Sequence, residues 1–274
     1  MQRTLKILAL GLCANALVAA QVSAQPAAEV TLTRLNDCGT PQAPTEVNLR
    51  FSDTYSYGDL KVQFVFSCYL IKHGNQYLLW DTGHSMTAPN VAPKVSVVDQ
   101  LAKLGVKPEQ IQFVGISHYH ADHTGQVASF PQSTLLIGQG DWSAITAPKP
   151  AAGVNAPPFA HWISGGGKVE PLPNDKDVFG DGRVVILNTP GHTPGHHSLL
   201  VKLINQSYLI TGDLVHFHEN YNSNGVPWFN VSRADTLASI DRFRKLEAQF
   251  KATVIIQHDA RDIGKLPAFP AAAK

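Results

Sequence analysis

The chain has 274 residues and carries 22 lysines and arginines against 21 aspartates and glutamates, a formal net charge of +1. Its 44% hydrophobic and 16% charged residues exclude a disordered chain. The balanced charge lacks the basic excess of nucleic-acid-binding proteins, so no nucleic-acid partner is expected. Twelve histidines, however, are more than a chain of this length and average composition carries.

The first 24 residues have the features of a signal peptide. Arg3 and Lys6 precede an apolar run over residues 7–20, and small residues follow at 22–24, which predicts cleavage before Gln25. The run is too short to span a membrane, so we expect export to the periplasm or the medium without a stable membrane anchor. Residues 25–274 are then predicted to form a single domain with 20 basic and 21 acidic residues, a formal charge of −1.

The three cysteines lead to separate expectations. Cys13 could carry a lipid, but Leu12 stands before it where a small residue is wanted, which favours soluble export. Cys38 and Cys68 would remain after cleavage, and the sequence leaves open whether they form a disulfide or stay as buried thiols. Because the two are not spaced as C-x-x-C, they make a poor metal site.

Predicted strands outnumber predicted helices along the chain. A helix is expected over residues 97–104, and a second opens at Ser232, where Asp235 completes a capping pattern before an apolar repeat. Residues 144–168 and 214–230 lack strong periodicity and are predicted to be long loops. Runs of β-branched and apolar residues predict strands over 62–71, 77–80, 111–116, 134–137, 184–187, 198–203, 208–210 and 254–256.

The segment His118-Tyr119-His120-Ala121-Asp122-His123 directly follows a predicted strand. Alternate residues on such a turn point the same way, so His118 and His120 can bind one ion while Asp122 and His123 turn toward a second. Imidazole and carboxylate ligands without thiolate favour zinc, with iron, manganese or cobalt as alternatives. The competing interpretation is a polar turn with surface histidines.

Three more candidate ligands stand near the ends of later predicted strands. His192 lies in the run Thr189-Pro190-Gly191-His192, Asp213 follows Thr211-Gly212, and His258 follows the last strand. Each residue alone is a weak signal, because a strand-end aspartate is usually a cap. Together they would give two divalent ions three ligands each and a shared carboxylate, with coordination positions left open for catalysis.

This pattern resembles the metallo-β-lactamase superfamily, and the resemblance extends from Asp81 to His258. It implies an α/β (α+β) fold, an αββα sandwich of two mixed sheets flanked by helices. It also implies that Asp81 supports the site from behind without being a ligand. The implied ligands are His118, His120 and His192 for the first ion, Asp122, His123 and His258 for the second, and Asp213 as a bridge.

Among compact members, the chain looks most like N-acyl homoserine lactonases, the quorum-quenching enzymes. The bridging Asp213 argues against class B β-lactamases, while an organophosphate or ester hydrolase remains the main alternative. The expected reaction is opening of a lactone ring by a hydroxide that bridges the two ions. The expected partner is therefore a small lactone or ester substrate, and a homodimer is left open.

Asp122 and His216 are the predicted catalytic residues. Many lactonases of this group have a tyrosine three residues after the bridging aspartate, and His216 stands there in this chain. Imidazole can donate a hydrogen bond or a proton from that position, with His218 as the alternative donor. Aromatic residues in and near the two long loops are candidates for the wall of an acyl-chain pocket, namely Trp142, Phe159, Trp162, Trp228 and Phe229.

Overall fold

A computed structural model describes residues 28–274 of the chain. The predicted signal peptide and cleavage site, together with Cys13, lie outside these residues. The described part contains short strands throughout, in chain order Val30–Leu35 (β1), Thr45–Glu46 (β2), Lys61–Val62 (β3), Cys68–His73 (β4), Gln76–Trp80 (β5), Phe113–Ile116 (β6), Thr134–Gly138 (β7), Val169–Leu172 (β8), Lys176–Asp177 (β9), Val184–Asn188 (β10), His197–Lys202 (β11), Ser207–Ile210 (β12) and Thr253–Ile255 (β13).

Most of the helices between these strands are short. They are Asn48–Phe51 (α1), Val97–Lys103 (α2), Ala121–Thr124 (α3), Gln139–Ile145 (α4), Ala160–Ile163 (α5), His218–Ser223 (α6) and Arg233–Phe250 (α7), with 3₁₀ turns at Pro108–Gln110, Val127–Ser129, Pro157–Phe159 and Ala260–Lys265. The Ser232 side chain accepts a hydrogen bond from the backbone N–H of Asp235, so α7 begins where the capping pattern predicted. Among residues 28–274, no helix combines the length and apolarity that a membrane span requires.

Two mixed sheets form the centre of the fold. The first has the strand order β1-β4-β5-β6-β7-β8, and the second has the order β13-β12-β11-β10-β9. In the first sheet β5, β6, β7 and β8 run parallel to one another, and in the second β12 runs parallel to β13. Parallel neighbours end at the same edge of a sheet, which brings the loops after β5 and β6 together.

Successive side chains of a strand point to opposite faces of its sheet, and each face packs into a different hydrophobic core. In β4, Tyr69 and Ile71 pack into the core between the sheets, while Leu70 joins the outer core against α2. In β11, Leu199 points between the sheets and Leu200 points toward α7. Helices therefore cover the outer face of each sheet, and the expected αββα sandwich is confirmed.

A segment near the N-terminal end of the described chain forms a separate small cluster. Phe51 on α1 stacks on Phe64 with ring centroids 5.1 Å apart, and it meets the edge of Phe217 at 5.7 Å. Phe229 packs against the same cluster. This aromatic cluster joins residues 47–64 to the loop after β12, and both parts border the site described below.

Three predicted elements differ from the structure. The strand predicted over 62–71 is divided into β3 and β4, because Val65 leaves the sheet and donates its N–H to the carbonyl of His258. The loop predicted over 144–168 contains a 3₁₀ turn and α5, and the loop over 214–230 contains α6. Helices of four to six residues are too short to leave an apolar repeat in the sequence.

A disulfide joins Cys38 to Cys68 and settles the alternative that the sequence left open. The two residues are 30 positions apart, and a loop of that length is worth about 3–4 kcal/mol in the chain-entropy account of disulfide stabilisation. Cys38 also accepts a hydrogen bond at its carbonyl from the N–H of His84. The bridge therefore fixes the segment around Cys38 against the loop that follows β5.

Candidate metal centre and adjoining cavity

The candidate ligands lie in segments that follow strand ends, with Asp122 and His123 in the short helix α3. His118, His120, Asp122 and His123 come after β6, His192 comes after β10, Asp213 after β12 and His258 after β13. These segments come from both sheets and meet at one end of the sandwich. The ligand atoms form two groups, each with members within 4.8 Å of one another, and Asp213 belongs to both groups.

The first group contains three imidazoles and one carboxylate oxygen. The Nε2 atoms of His118 and His192 are 3.2 Å apart and lie 2.9 and 3.0 Å from Nδ1 of His120. Oδ2 of Asp213 lies 3.3 Å from Nε2 of His192 and 3.6 Å from Nε2 of His118. Ligands of a tetrahedral zinc ion are about 3.4 Å apart when their bonds are about 2.1 Å long, so the spacing fits one ion.

The second group forms around the other oxygen of the same carboxylate. Oδ1 of Asp213 lies 2.8 Å from Nε2 of His258 and 3.2 Å from Nε2 of His123. Oδ2 of Asp122 lies 3.5 and 3.6 Å from these two nitrogens. Since the two oxygens of Asp213 face different groups, the carboxylate has the geometry of a bridge between two ions.

Hydrogen bonds on the far side of the imidazoles turn their lone pairs toward the site. Nδ1 of His123 lies 2.8 Å from Asp81 Oδ2, Nδ1 of His258 lies 2.7 Å from the Val65 carbonyl, and Nδ1 of His192 lies 2.9 Å from Asn230 Oδ1. All three partners are acceptors, so each Nδ1 carries the proton and each Nε2 presents a lone pair. Lone pairs turned toward one point in this way suit a bound cation.

Asp81 and its neighbours support the segment after β6, which carries His118, from behind. Its Oδ1 accepts the N–H of Ser117 at 2.7 Å, and its Oδ2 accepts Ser117 Oγ and Gln257 Nε2 at 2.9 and 2.8 Å. Ser117 Oγ gives its only proton to Asp81 and can therefore accept Nδ1–H of His118 at 3.1 Å. Asp81 thus orients ligands of both groups without being a ligand.

Burial and local charge set the protonation states that metal ligands need. Burial lowers the pKa of His118 well below 6.5, and the neighbouring His123 lowers it further. Burial also lowers the pKa of His192 well below 6.5, although Asp213 opposes the shift. For Asp213, burial alone would raise the pKa, but His258 and His123 outweigh it and hold the pKa well below 3.8. His118 and His192 are therefore neutral and Asp213 is ionised. Burial would lower the pKa of His123 and His258, but Asp213 outweighs it and raises both above 6.5, so these two rings must release a proton to bind a metal ion.

Close backbone contacts explain the glycines around His192. Gly191 has φ +137°, and a side chain there would place its Cβ 2.3 Å from the backbone nitrogen of Thr236. A Cβ on Gly195 would lie 2.4 Å from the backbone nitrogen of Asp141. The Asp141 carboxyl accepts hydrogen bonds from Tyr119 N–H, Thr193 Oγ1 and Gly195 N–H, so it ties the His118 loop to the His192 turn. Burial raises the pKa of Asp141 to about 7.

His196 was not singled out from the sequence, although it repeats the Thr-Pro-Gly-His pattern of His192. Its ring is buried, and its Nε2 accepts the backbone N–H of Asp213 at 2.9 Å. Its Nδ1 lies 2.9 Å from the carbonyl of Thr189 and donates to it. His196 therefore positions the bridging residue, and burial lowers its pKa to about 3, which keeps the ring neutral.

A cavity of about 330 Å³ opens beside the two groups. Its walls are largely aromatic, and ligands of both groups form its floor. His216 lies at its side, with Nε2 3.1 Å from Asp213 Oδ2. The lining residues are Gln42, Thr45, Arg50, Phe51, Phe64, Phe66, His120, Asp122, His192, Asp213, His216, Phe229 and His258.

Only some of the aromatic residues predicted to line the pocket lie at the cavity. Phe229 lines the cavity, and Trp228 lies next to it with 70% of its surface exposed. The prediction is wrong for Phe159 and Trp162, which are buried in the core between the first sheet and its helices, and for Trp142, which packs against that core. These three belong to short helical segments that turn their apolar side chains onto the sheet.

Sequence reasoning missed the other half of the cavity wall. Phe51, Phe64 and Phe66 come from the segment before β4, where no motif marks a site. Phe64 and Phe66 fall in the strand predicted over 62–71, and no element was predicted at Phe51. The alternative donor His218 lies outside the cavity lining, because its Nε2 contacts Asp262 Oδ1 at 2.6 Å. His216 is thus the candidate that the structure brings to the bridging carboxylate.

The sequence profile of the metallo-beta-lactamase superfamily matches residues 65–258, a range that includes all seven candidate ligands. The chain belongs to this superfamily. Its fold, its ligand order and the bridging position of Asp213 agree with that membership.

Individual relatives are similar over most of the described chain. The N-acyl homoserine lactonase AttM of Rhizobium radiobacter is 32% identical over 178 residues, which cover 59% of this chain and 63% of that protein. The chain therefore matches less than two thirds of the length of that relative. An N-acyl homoserine lactonase from Bacillus sp is 28% identical over 225 residues, which cover 74% of this chain and 84% of that protein.

Solved structures share the fold. An N-acyl homoserine lactone hydrolase with the product N-hexanoyl-L-homoserine at its catalytic metal center has a TM-score of 0.74 and 20% identity, covering 90% of this chain and 100% of that chain. The dizinc quorum-quenching lactonase AidC has a TM-score of 0.63 and 18% identity, covering 90% of this chain and 91% of that chain. At these identities the likeness concerns the fold.

Replacing Asp213 by alanine tests the bridge. Because its two oxygens serve both groups, we expect Asp213→Ala to bind fewer than two divalent ions per chain after dialysis, as measured by elemental analysis. Asp241→Ala is the matched control, since Asp241 is an exposed carboxylate paired with Lys245 on α7. Two ions retained by Asp213→Ala would show that this residue does not bridge.

Proposed function

We propose that the protein is a dinuclear metal-dependent hydrolase that opens the lactone ring of N-acyl homoserine lactones. The observation that carries the proposal is the Asp213 carboxylate between two ligand groups, at the floor of an aromatic cavity of about 330 Å³. Curated relatives named N-acyl homoserine lactonase and a similar fold with a homoserine product at its metal center support the substrate class.

We further propose that zinc occupies both sites. Five histidines and two aspartates without thiolate suit zinc, and iron, manganese or cobalt would accept the same ligands. A similar fold, AidC, is a dizinc lactonase. Two such ions, when bound, supply Lewis acidity that polarises an ester carbonyl and makes water nucleophilic near neutral pH.

The residues of the chain itself bind and orient the substrate in this proposal. Phe51, Phe64 and Phe229 form apolar walls that suit a lipophilic acyl chain and keep water away from it. Asp122 would contribute to catalysis by helping to hold the second ion, which would supply Lewis acidity. The bridging position of Asp213 favours this group of enzymes over β-lactamases, as the sequence predicted.

His216 is the proposed hydrogen-bond donor to the reacting oxygen. Its ring is held edge-on to Phe51 and Phe229, with centroids 4.9 and 5.8 Å away, and its Nδ1 is buried with no partner among the described residues. Asn220 Oδ1 accepts the backbone N–H of His216 and fixes this part of the loop. A donor held in this way loses little freedom when the substrate binds.

A substrate panel tests the proposed activity. We expect zinc- or cobalt-loaded protein to hydrolyse N-acyl homoserine lactones with the highest kcat/KM among four substrate types. The others are a chromogenic cephalosporin, a thioester and the phosphotriester paraoxon, each assayed under the same conditions. A phosphotriester rate far above the lactone rate would favour the organophosphate hydrolase instead.

Replacement of His216 tests the donor. We expect His216→Phe to lower kcat about 100-fold, because one donor to a developing oxyanion contributes that much. His216→Tyr keeps a donor and should recover most of the loss. Metal content is measured in parallel, so that a loss of ions is not mistaken for a loss of the donor. A kcat of His216→Phe within threefold of wild type would contradict the role.

We also propose that the protein is exported after cleavage before Gln25. The Cys38–Cys68 disulfide supports this, because such bonds persist in oxidising compartments. Mass spectrometry of protein from the periplasm or medium of an expressing bacterium should find Gln25 at the N-terminus and the two cysteines joined. An intact N-terminus in the cytoplasmic fraction alone would overturn the proposal.

A further inference from the structure

Arg50 is the one side chain of permanent positive charge among the residues that line the cavity in the described part of the chain. It lies in the last turn of α1. Its guanidinium carbon is 5.6 Å from the ring centroid of Phe51 and 5.3 Å from that of Phe229. Both rings are cavity walls, so they hold the guanidinium at the cavity by cation–π contact.

The guanidinium of Arg50 has no partner within residues 28–274. Three other arginines are paired with carboxylates there, namely Arg233 with Asp53, Arg242 with Asp175 and Arg261 with Glu219. For Arg50, by contrast, the same structure contains neither an ion pair nor a side-chain hydrogen bond. Its five N–H donors are therefore free to bind an acceptor on a ligand.

The cavity is polar at two places that are separated by aromatic walls. Phe229 contacts Arg50 on one side and the candidate ligand His192 on the other, with 5.3 Å from the guanidinium carbon to its ring centroid and 5.7 Å between ring centroids. Phe51 likewise contacts both Arg50, at 5.6 Å, and His216, at 4.9 Å. A substrate with its ester at the candidate metal ligands would extend past these aromatic side chains. The part of the substrate outside its lactone ring would then reach the guanidinium of Arg50.

We propose that Arg50 is a specificity-determining residue that binds a carbonyl oxygen of the substrate's acyl-amide arm. This inference rests on the proposed lactonase function and adds to it a preference for lactones with an acceptor on their side chain. A neutral carbonyl is the acceptor that the proposed substrate offers, because an N-acyl homoserine lactone carries no charge and its amide carbonyl lies outside the lactone ring. A guanidinium stacked on two rings is also pre-oriented, so it loses little freedom on binding.

The test compares two lactones that differ in the acceptor. N-hexanoyl homoserine lactone has the amide, whereas an α-alkyl-γ-butyrolactone of the same chain length lacks it. Arg50→Met keeps an apolar side chain on Phe51 and Phe229, and we expect it to lower kcat/KM for the amide lactone about tenfold, mainly through KM. For the alkyl lactone we expect a change of less than about twofold, and Arg50→Lys should fall between Arg50→Met and wild type.

Arg233→Met is the matched control, since Arg233 is an exposed arginine that pairs with Asp53 and lies outside the cavity lining. Arg233→Met should leave kcat/KM for both lactones unchanged. Calorimetry with the ring-opened product N-hexanoyl-homoserine adds a readout without turnover, and we expect Arg50→Met to weaken its binding about tenfold.

The possible outcomes separate the two proposals. If Arg50→Met lowered kcat/KM equally for both lactones, Arg50 would have a packing role. If it lowered kcat/KM for neither, Arg50 would have no role in substrate binding. Each result would overturn the assignment of Arg50. Unchanged product binding in Arg50→Met would do the same. A wild-type protein inactive on both lactones would overturn the proposed function, and the assignment of Arg50 with it.

Discussion

The site depends on one buried carboxylate that faces two groups of imidazole nitrogens. Oδ2 of Asp213 points to the His118 group and Oδ1 points to the His258 group. Burying a charge in this way is costly unless opposite charge lies nearby, and His258 and His123, or two bound cations in their place, supply it. The backbone N–H of Asp213 is in turn bound to His196, which fixes the carboxylate between the two groups.

The fold provides the frame that this arrangement needs. Strand ends from both sheets converge at one end of the sandwich, and acceptors such as Asp81, Val65 and Asn230 set the orientation of the imidazoles. The aromatic cluster around Phe51 then closes one side of the site and leaves a cavity next to it. Most of the aromatic cavity wall thus comes from residues 51–66 and the candidate ligands from residues 118–258, and both depend on the same packing.

Several features were predictable because they are local in sequence. The His118–His123 motif follows a strand closely enough for its ligand geometry to be inferred from a turn, and the Ser232 cap marks the start of α7. Other features depend on distant contacts. Phe159 and Trp162 are aromatic residues in a region without periodicity, and only the packing of short helices on the first sheet places them in the core.

The sequence by itself determined the order of the seven candidate ligands, because they lie in short motifs near strand ends, and the resemblance of these motifs to a known superfamily implied the αββα arrangement. The tertiary structure decided which aromatic residues border the site, that Cys38 pairs with Cys68 and that Arg50 reaches the cavity. These are contacts between segments far apart in the chain, and no local pattern encodes which segments will meet.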